Sequence, residues 1–133
     1  MNTPTEQFGV HFMMDGYGAD KNILKDQVLL STMLHDIPKD MGMHIIHEPV
    51  VVSVGPKNRK DPGGLSGFVM IAESHISFHT FPERQFVTID VYTCQNDLDV
   101  EKLQMKFTDT FKISSSDIHV QTRGIRYPSE NIL

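Results

Sequence analysis

Three closely spaced strand-like runs constrain the fold of this chain more than any other feature. Residues 67–72 read GFVMIA, residues 75–81 read HISFHTF and residues 85–94 read QFVTIDVYTC. All three runs are rich in β-branched and aromatic residues, which favour strands. In the third run apolar residues alternate from Val87 to Val91, and the same alternation places Cys94 on the opposite face. The region therefore predicts three strands in succession.

The segments before these runs predict a strand, a helix and a further strand. Residues 8–14, FGVHFMM, are typical of an opening strand, and apolar residues recur at helical spacing over 20–37. Pro38 is expected to end that helix, because proline cannot donate the next helical hydrogen bond. Residues 44–55 are rich in β-branched side chains and predict a strand interrupted at Pro49.

The remaining segments predict a loop, a second helix and a last strand. Residues 55–67 combine glycines, prolines and charges, as exposed loops do. A helix is expected in 97–112, with Asp97 or Asp99 as its cap and a final strand near 117–125. The apolar stripe of this helix comprises Val100, Leu103, Phe107 and Phe111. The order of elements predicts an α+β fold, a two-layer sandwich with a mainly antiparallel sheet covered by two helices.

Length and composition exclude several classes of protein. The 133 residues suit a single domain over 1–133, and no apolar run is long enough to cross a membrane. The net charge is -5 and the one dense basic stretch is KNRK at 57–60, so nucleic acid is not the expected partner. Cys94 is the only cysteine, and the first residues do not read as a signal peptide. We expect a cytoplasmic protein.

Reactive side chains are concentrated in and around the second strand-like run. Residues 72–83 read AESHISFHTFPE, and within them His79 follows Ser74 by five positions. Ser66 precedes Ser74 by eight positions and Cys94 follows it by twenty. Each residue alone has an ordinary structural explanation, such as a turn serine or a small buried thiol. Their combined spacing is the distinctive feature.

This spacing resembles that of the prokaryotic S-adenosylmethionine decarboxylase proenzymes, whose signature reads ESHxxxHxxPE and is followed by a strand ending in TC. Here the signature spans 73–83 and the strand ends at Thr93-Cys94. The match extends to Leu65-Ser66-Gly67 and to Gly9-Val10-His11. It is dense only between residues 64 and 94.

The resemblance implies a pyruvoyl-dependent decarboxylase of polyamine biosynthesis that makes its own cofactor. The Ser74 hydroxyl attacks the Glu73 carbonyl, the amide becomes an ester, and elimination followed by hydrolysis leaves a ketone in place of the serine. The chain is thereby cut between Glu73 and Ser74 into fragments 1–73 and 74–133. The ketone then forms a Schiff base with the substrate amine and accepts the electron pair left by carbon dioxide. Neither a metal nor pyridoxal phosphate is required.

The resemblance also implies roles for the surrounding side chains. His79 accepts the α-proton during processing, a task suited to an imidazole at neutral pH. Ser66 supports processing by hydrogen bonding to the intermediates. Cys94 returns a proton to the substrate during decarboxylation. Glu83 is expected to contact a small, amino-acid-type substrate.

The substrate is less constrained than the chemistry. Family members that act on S-adenosylmethionine usually carry an aromatic residue in the loop before the upstream serine, and here none lies between His47 and Ser66. Phe81 stands where the signature often has tryptophan. S-adenosylmethionine remains the first expectation, and L-arginine or L-ornithine is the alternative. Those substrates need a carboxylate, for which the candidates are Glu83, Asp90 and Glu48.

Strand geometry limits how the reactive residues meet. Eight residues of strand span about 26 Å and five span about 16 Å, so Ser66, Ser74 and His79 cannot meet along one straight strand. Either the chain turns or a second subunit contributes. The resemblance favours a homodimer of cleaved protomers, and symmetric dimers are the commonest oligomers.

Three other hypotheses fit parts of the pattern. His75 and His79 have a zinc-like spacing, but on a strand their rings lie about 13 Å apart, too far to share one ion. Cys94 with His79 or His119 suggests a cysteine hydrolase, although no nucleophile motif surrounds the thiol. The third hypothesis is an uncleaved, non-enzymatic α+β binding protein in which Ser74 is only a turn residue.

Overall fold

The computed structural model of the chain describes residues 3–132. In chain order its elements are β1 (Thr5–Glu6), β2 (Gly9–Tyr17), α1 (Gln27–Asp40), β3 (Val50–Val54), β4 (Gly64–Ile71), β5 (Ser74–Phe81), β6 (Phe86–Thr93), α2 (Val100–Phe111), β7 (Ser115–Arg123) and β8 (Tyr127–Pro128). Within these residues, six strands form one sheet in the order β3-β4-β5-β6-β2-β7, and every neighbouring pair is antiparallel. The short strands β1 and β8 pair in a separate ribbon.

Both helices lie on one face of the sheet, which confirms the predicted two-layer α+β sandwich. Helix α1 packs on β3 and β4, and α2 packs on β2. The stripe on α2 buries Leu103, Phe107 and Phe111, and the Phe107 ring stacks on Phe12 of β2 with centroids 6.2 Å apart. Buried and half-buried residues alternate along β6 as the sequence predicts. The opposite face of the sheet, called here the open face, carries no helix of the described chain.

The β4–β5 hairpin differs from the prediction by a small but important shift. The sequence suggested strands over 67–72 and 75–81, whereas β4 ends at Ile71 and β5 begins at Ser74. Ile71 pairs with Ser74, so the turn consists of Ala72 and Glu73 alone. The two-residue turn fixes the register of the whole hairpin. Ser74 is therefore the first residue of a strand and Glu73 the last residue of a turn.

Helix α1 begins later than predicted because Asp20 caps a separate short turn and Asp26 caps the helix. The Asp20 carboxylate accepts hydrogen bonds from the backbone of Asn22 and Ile23, which closes a separate 3₁₀ turn over Ile23–Lys25. Asp26 is extended and accepts from the Leu29 N–H, so it caps the helix proper. The predicted start near residue 20 was therefore wrong.

Pro38 does not end α1 as the sequence suggested. It lies inside the last turn and is buried, and the helix continues to Asp40. Proline removes only its own hydrogen-bond donor, and the Met41 N–H still donates to the Ile37 carbonyl at 3.0 Å. The Pro38 carbonyl in turn accepts from the Met43 N–H at 2.7 Å.

The remaining elements agree in kind and differ in extent. The opening strand continues to Tyr17, beyond the predicted 8–14, and the strand after α1 occupies only Val50–Val54, with Pro49 before it. Asp99, not Asp97, caps α2 by accepting from the Lys102 N–H. Neither helix within residues 3–132 has the length and apolar character needed to cross a bilayer.

Candidate active site

The turn between β4 and β5 holds the predicted cleavage position in an unusual backbone arrangement. The carbonyl oxygen of Glu73 accepts a hydrogen bond from the backbone N–H of Cys94 at 3.0 Å. Ser74 has φ = 149°, in a region that residues with a Cβ rarely occupy. The Glu73 carbonyl oxygen is thus held by a hydrogen-bond donor, and Ser74, the next residue, has a strained backbone.

The side chain of Glu73 is fixed as well. Its carboxylate accepts from the backbone N–H of His44 at 2.9 Å and from His44 Nδ1 at 2.8 Å. Burial raises the pKa of the Glu73 carboxyl, but the hydrogen bonds from His44 outweigh it and hold that pKa below its usual range. Glu73 is therefore ionised at neutral pH.

Ser66 and His79 form a second part of the site. They lie opposite each other on β4 and β5, and Ser66 Oγ is 2.8 Å from His79 Nδ1. Ser66 lies on the same face of β4 as Phe68, and His79 on the same face of β5 as His75, which is the open face. The hairpin register thus brings together two of the residues singled out in the sequence.

The two parts of the site lie far apart within one protomer. Ser74 and His79 are at opposite ends of the same strand, β5, so about 16 Å separates their backbones. Proton transfer needs heavy atoms within about 3 Å. The chain does not turn back between them, so one protomer alone does not bring His79 to Ser74.

Cys94 belongs to the Ser74 end of the sheet. It directly follows β6, whose last residue, Thr93, pairs with Ser74, and its side chain is exposed. His79 pairs with Thr88, six residues before Cys94, which corresponds to about 20 Å along the strand. His119 lies on β7, opposite Met13 of β2, and β7 is two strands away from β6, which Cys94 follows. Neither histidine forms a cysteine–histidine pair within the protomer.

Glu83 lies at the other end, just beyond β5. Its carboxylate is 3.2 Å from the ammonium of Lys21 and 3.9 Å from that of Lys25. All three side chains are about half exposed. The other two carboxylates considered for a cationic substrate lie elsewhere. Glu48 is exposed beside α1, and Asp90 is paired with His11.

Asp90 belongs to a polar cluster near the middle of the open face. His11 Nε2 donates to its carboxylate at 2.9 Å, and the guanidinium of Arg123 lies 4.6 Å from the ring centre of Tyr92. Burial lowers the pKa of the His75 imidazole, and the charges of His11 and Arg123 lower it further. Asp90 opposes that shift. Among residues 3–132, no three His, Cys, Asp or Glu side chains are placed to share a metal ion.

Two contacts at the turn were missed by sequence reasoning. The first is the hydrogen bond from the Cys94 N–H to the Glu73 carbonyl. The TC motif locates Cys94 in the sequence, but no motif indicates what its backbone N–H contacts. His44 lies 29 residues before Glu73, at the start of the segment 44–55 that the sequence predicts as a strand interrupted at Pro49. Only the three-dimensional structure brings it to the turn.

Comparison with known proteins agrees with this architecture. A solved structure described as the adenosylmethionine decarboxylase from Aquifex aeolicus matches with a TM-score of 0.78 and 27% identity, over 95% of this chain and 98% of that chain. The protein is thus an α+β sandwich of the type found in that decarboxylase.

Sequence comparison specifies the family. Residues 10–124 match the family described as S-adenosylmethionine decarboxylase. A curated proenzyme of that name from Pyrobaculum neutrophilum is 38% identical over 91 residues, covering 68% of each chain. One from Pyrococcus horikoshii is 31% identical over 120 residues, covering 90% of this chain and 81% of its own. The chain belongs to the S-adenosylmethionine decarboxylase family, as its sequence motifs predict.

Proposed function

We propose that this protein cuts itself between Glu73 and Ser74, converts Ser74 into a pyruvoyl group and then decarboxylates S-adenosylmethionine. The observation that carries this proposal is the hydrogen bond from the Cys94 N–H to the Glu73 carbonyl oxygen, 3.0 Å long, directly before the strained Ser74. A donor at that oxygen stabilises negative charge that develops when the carbonyl is attacked. The product of decarboxylation would enter polyamine synthesis.

Self-cleavage begins at this held carbonyl. The Ser74 Oγ bonds to the Glu73 carbonyl carbon, the peptide C–N bond breaks, and the Ser74 nitrogen gains a proton, which gives an ester with a free amine. A backbone conformation of the kind at Ser74 costs about 1–3 kcal/mol, and breaking the peptide bond releases that strain. Strain in the reactant and a donor on its oxygen both favour this step.

The ester is then broken by elimination. A base removes the Ser74 α-proton, the Cβ–Oγ bond breaks, and Glu73 leaves as a new carboxylate terminus. Tautomerisation and hydrolysis release ammonia and leave the pyruvoyl group. We assign the base to His79, with Ser66 orienting its ring through their 2.8 Å contact and supporting the intermediates.

Because His79 lies about 16 Å from Ser74 in the same chain, the base must come from a second copy. The open face suits such a partner, since the helices leave it uncovered and it carries exposed apolar side chains. These are Val50, Val52, Phe68 and Met70. Two sheets packed face to face lie about 10 Å apart, close enough for side chains to meet.

A twofold axis can place the two ends of the site together. Rotation must bring the Ser74 end of one sheet over the Ser66–His79 end of the other. The axis then passes midway between Ser74 and His79, close to Ser77 on β5. The contact is isologous and closes a dimer with two equivalent sites.

Cleavage would not separate the two fragments. Fragment 1–73 supplies β2, β3 and β4, and fragment 74–133 supplies β5, β6 and β7. Strand β2 lies between β6 and β7 in the sheet, so each fragment completes the other's hydrogen bonds. The cut protomer is held by the same sheet as the uncut one.

In the decarboxylation step the pyruvoyl carbonyl would supply an electron sink for the bond to the departing carboxylate. The thiol of Cys94, exposed at the Ser74 end, is assigned the delivery of a proton to the substrate α-carbon. This role requires a free thiol, which agrees with a cytoplasmic location. The same residue thus contributes its N–H to processing and its side chain to turnover.

The surroundings of Glu83 favour S-adenosylmethionine over arginine or ornithine. Lys21 and Lys25 already face the Glu83 carboxylate, so a further cation gains little from it. Its oxygens can still accept hydrogen bonds from the ribose hydroxyls of S-adenosylmethionine. Across the proposed dimer, Glu83 lies on the end that faces Ser74 of the partner.

Intact-mass measurement with a decarboxylation assay tests the proposal. Wild-type protein should yield fragments 1–73 and 74–133, the second lighter by one ammonia than simple hydrolysis gives, while Ser74→Ala stays uncut. Ser77→Ala, on the same strand, is the matched control and should be cut. Carboxyl-labelled S-adenosylmethionine should release carbon dioxide faster than arginine or ornithine. A single full-length species from folded wild-type protein would instead favour an uncleaved binding protein.

A further inference from the structure

The segment around His44 runs beside the turn in which the proposed cut falls. The Ala72 N–H donates to the His44 carbonyl at 2.7 Å, and the Ile46 N–H donates to the Met70 carbonyl at 3.1 Å. With the two bonds from His44 to the Glu73 carboxylate, four hydrogen bonds tie this segment to the hairpin tip. The segment is not one of the six strands, but it pairs with the end of β4 through a single antiparallel bridge between Ile45 and Ile71.

Glu73 is consequently held from two sides. His44 fixes its side chain, and the Cys94 N–H fixes its carbonyl oxygen at 3.0 Å. The Glu73 side chain is only 14% exposed, whereas that of His44 is 77% exposed. The His44 ring therefore contributes little to the apolar core, and its contact with Glu73 is what distinguishes it from an ordinary surface histidine.

We propose that His44 is a positioning residue for self-cleavage, an inference that rests on the function proposed above. Attack by Ser74 requires the Glu73 carbonyl at a set angle and distance, and two fixed ends of Glu73 limit its rotation. The His44 bonds also hold the ionised carboxylate in one place. Without the imidazole, only the bond from the His44 backbone N–H remains, and the carboxylate can pivot on it towards the carbonyl oxygen, where negative charge develops. No proton or other atom passes through His44.

Cell-free synthesis followed by timed sampling tests this role. Each sample is split, and one half receives hydroxylamine, which cleaves an ester but leaves the peptide bond intact. Total cleavage in the treated half then reports ester formation, and cleavage in the untreated half reports completed processing. The variants are His44→Ala, His44→Asn and the matched control His47→Ala, whose imidazole, within residues 3–132, bonds only to the neighbouring Glu48 carbonyl.

Ester formation in His44→Ala should be about 10- to 100-fold slower than in wild type, measured at a temperature at which both chains are folded. His44→Asn should recover most of the rate, because its amide can donate to the carboxylate from a similar position. His47→Ala should match wild type. Equal rates for His44→Ala and wild type, or equal slowing by alanine and asparagine, would overturn the role of His44 alone. An uncut wild-type chain would instead overturn the proposed function.

Discussion

Mixing two inactive variants tests whether the site is shared between two chains. His79→Ala retains Ser74 but lacks the proposed base, and Ser74→Ala retains the base but has nothing to convert. In a mixed dimer, Ser74 of the first chain faces Ser66 and His79 of the second, so one complete site forms. The other site lacks both Ser74 and His79. Cleavage of the His79→Ala chain should therefore return only in the mixture.

The expected yield follows from the geometry and the stoichiometry. Since about 16 Å separates Ser74 from His79 within a protomer, a dimer of His79→Ala with itself has no base in reach. Equal amounts of two randomly pairing chains give mixed dimers as about half of the total. About half of the His79→Ala chains should then be cut, rising towards all of them in purified mixed dimers. The Ser74→Ala chain should stay intact throughout.

Coexpression with two different affinity tags allows the fragments to be assigned by mass after tandem purification. Introducing Phe68→Glu into both chains is the control, because it buries a charge in the proposed interface and should yield uncut monomers on a sizing column. No cleavage in purified mixed dimers would refute the shared site. So would efficient cleavage of His79→Ala on its own.

Three further predictions concern turnover and stability. Cys94→Ala should still cut itself, because alanine keeps the backbone N–H, but should decarboxylate about 100- to 10,000-fold more slowly in a carbon dioxide release assay. In an uncut background, Thr80→Val should lower the free energy of unfolding, measured with urea, by about 2–4 kcal/mol. The buried Thr80 hydroxyl donates to the Leu24 carbonyl and accepts from the Leu65 N–H, and valine makes neither bond. An unchanged midpoint of urea unfolding would contradict this. In the same background, the chain with Glu73 should be more stable than Glu73→Gln above pH 4.5, and this advantage should be lost as the pH falls. The reason is that the folded pKa of Glu73 lies below its unfolded value. An advantage that grows on acidification would contradict the assigned shift.

Local periodicity explains which parts of the fold were predictable. The alternation along β6 and the stripe on α2 are patterns within one element, so the sequence alone identifies their buried faces. The start of α1 depends on a choice between Asp20 and Asp26 as cap, which their identical side chains do not reveal. The ribbon of β1 and β8 has only two residues in each strand, too few for a pattern.

The site was predictable where it depends on motif spacing and unpredictable where it depends on register. A turn over 73–74 would shift the hairpin, whereas the observed turn at Ala72 and Glu73 places Ser66 directly opposite His79. Strand length alone indicated that Ser74 and His79 do not meet along one straight strand, and it left a turn of the chain or a second subunit as the alternatives. The contact between His44 and Glu73 depends on tertiary packing over 29 residues and leaves no trace in the local sequence.

Reductive trapping of substrate on the protein tests the central claim most directly. Wild-type protein is incubated with S-adenosylmethionine and cyanoborohydride, and the modified residue is located by peptide mass spectrometry. We expect the adduct on the first residue of fragment 74–133, the position encoded as Ser74, and none on Ser74→Ala. An adduct on a lysine, or decarboxylation by a chain that still contains an intact Glu73–Ser74 bond, would contradict the account.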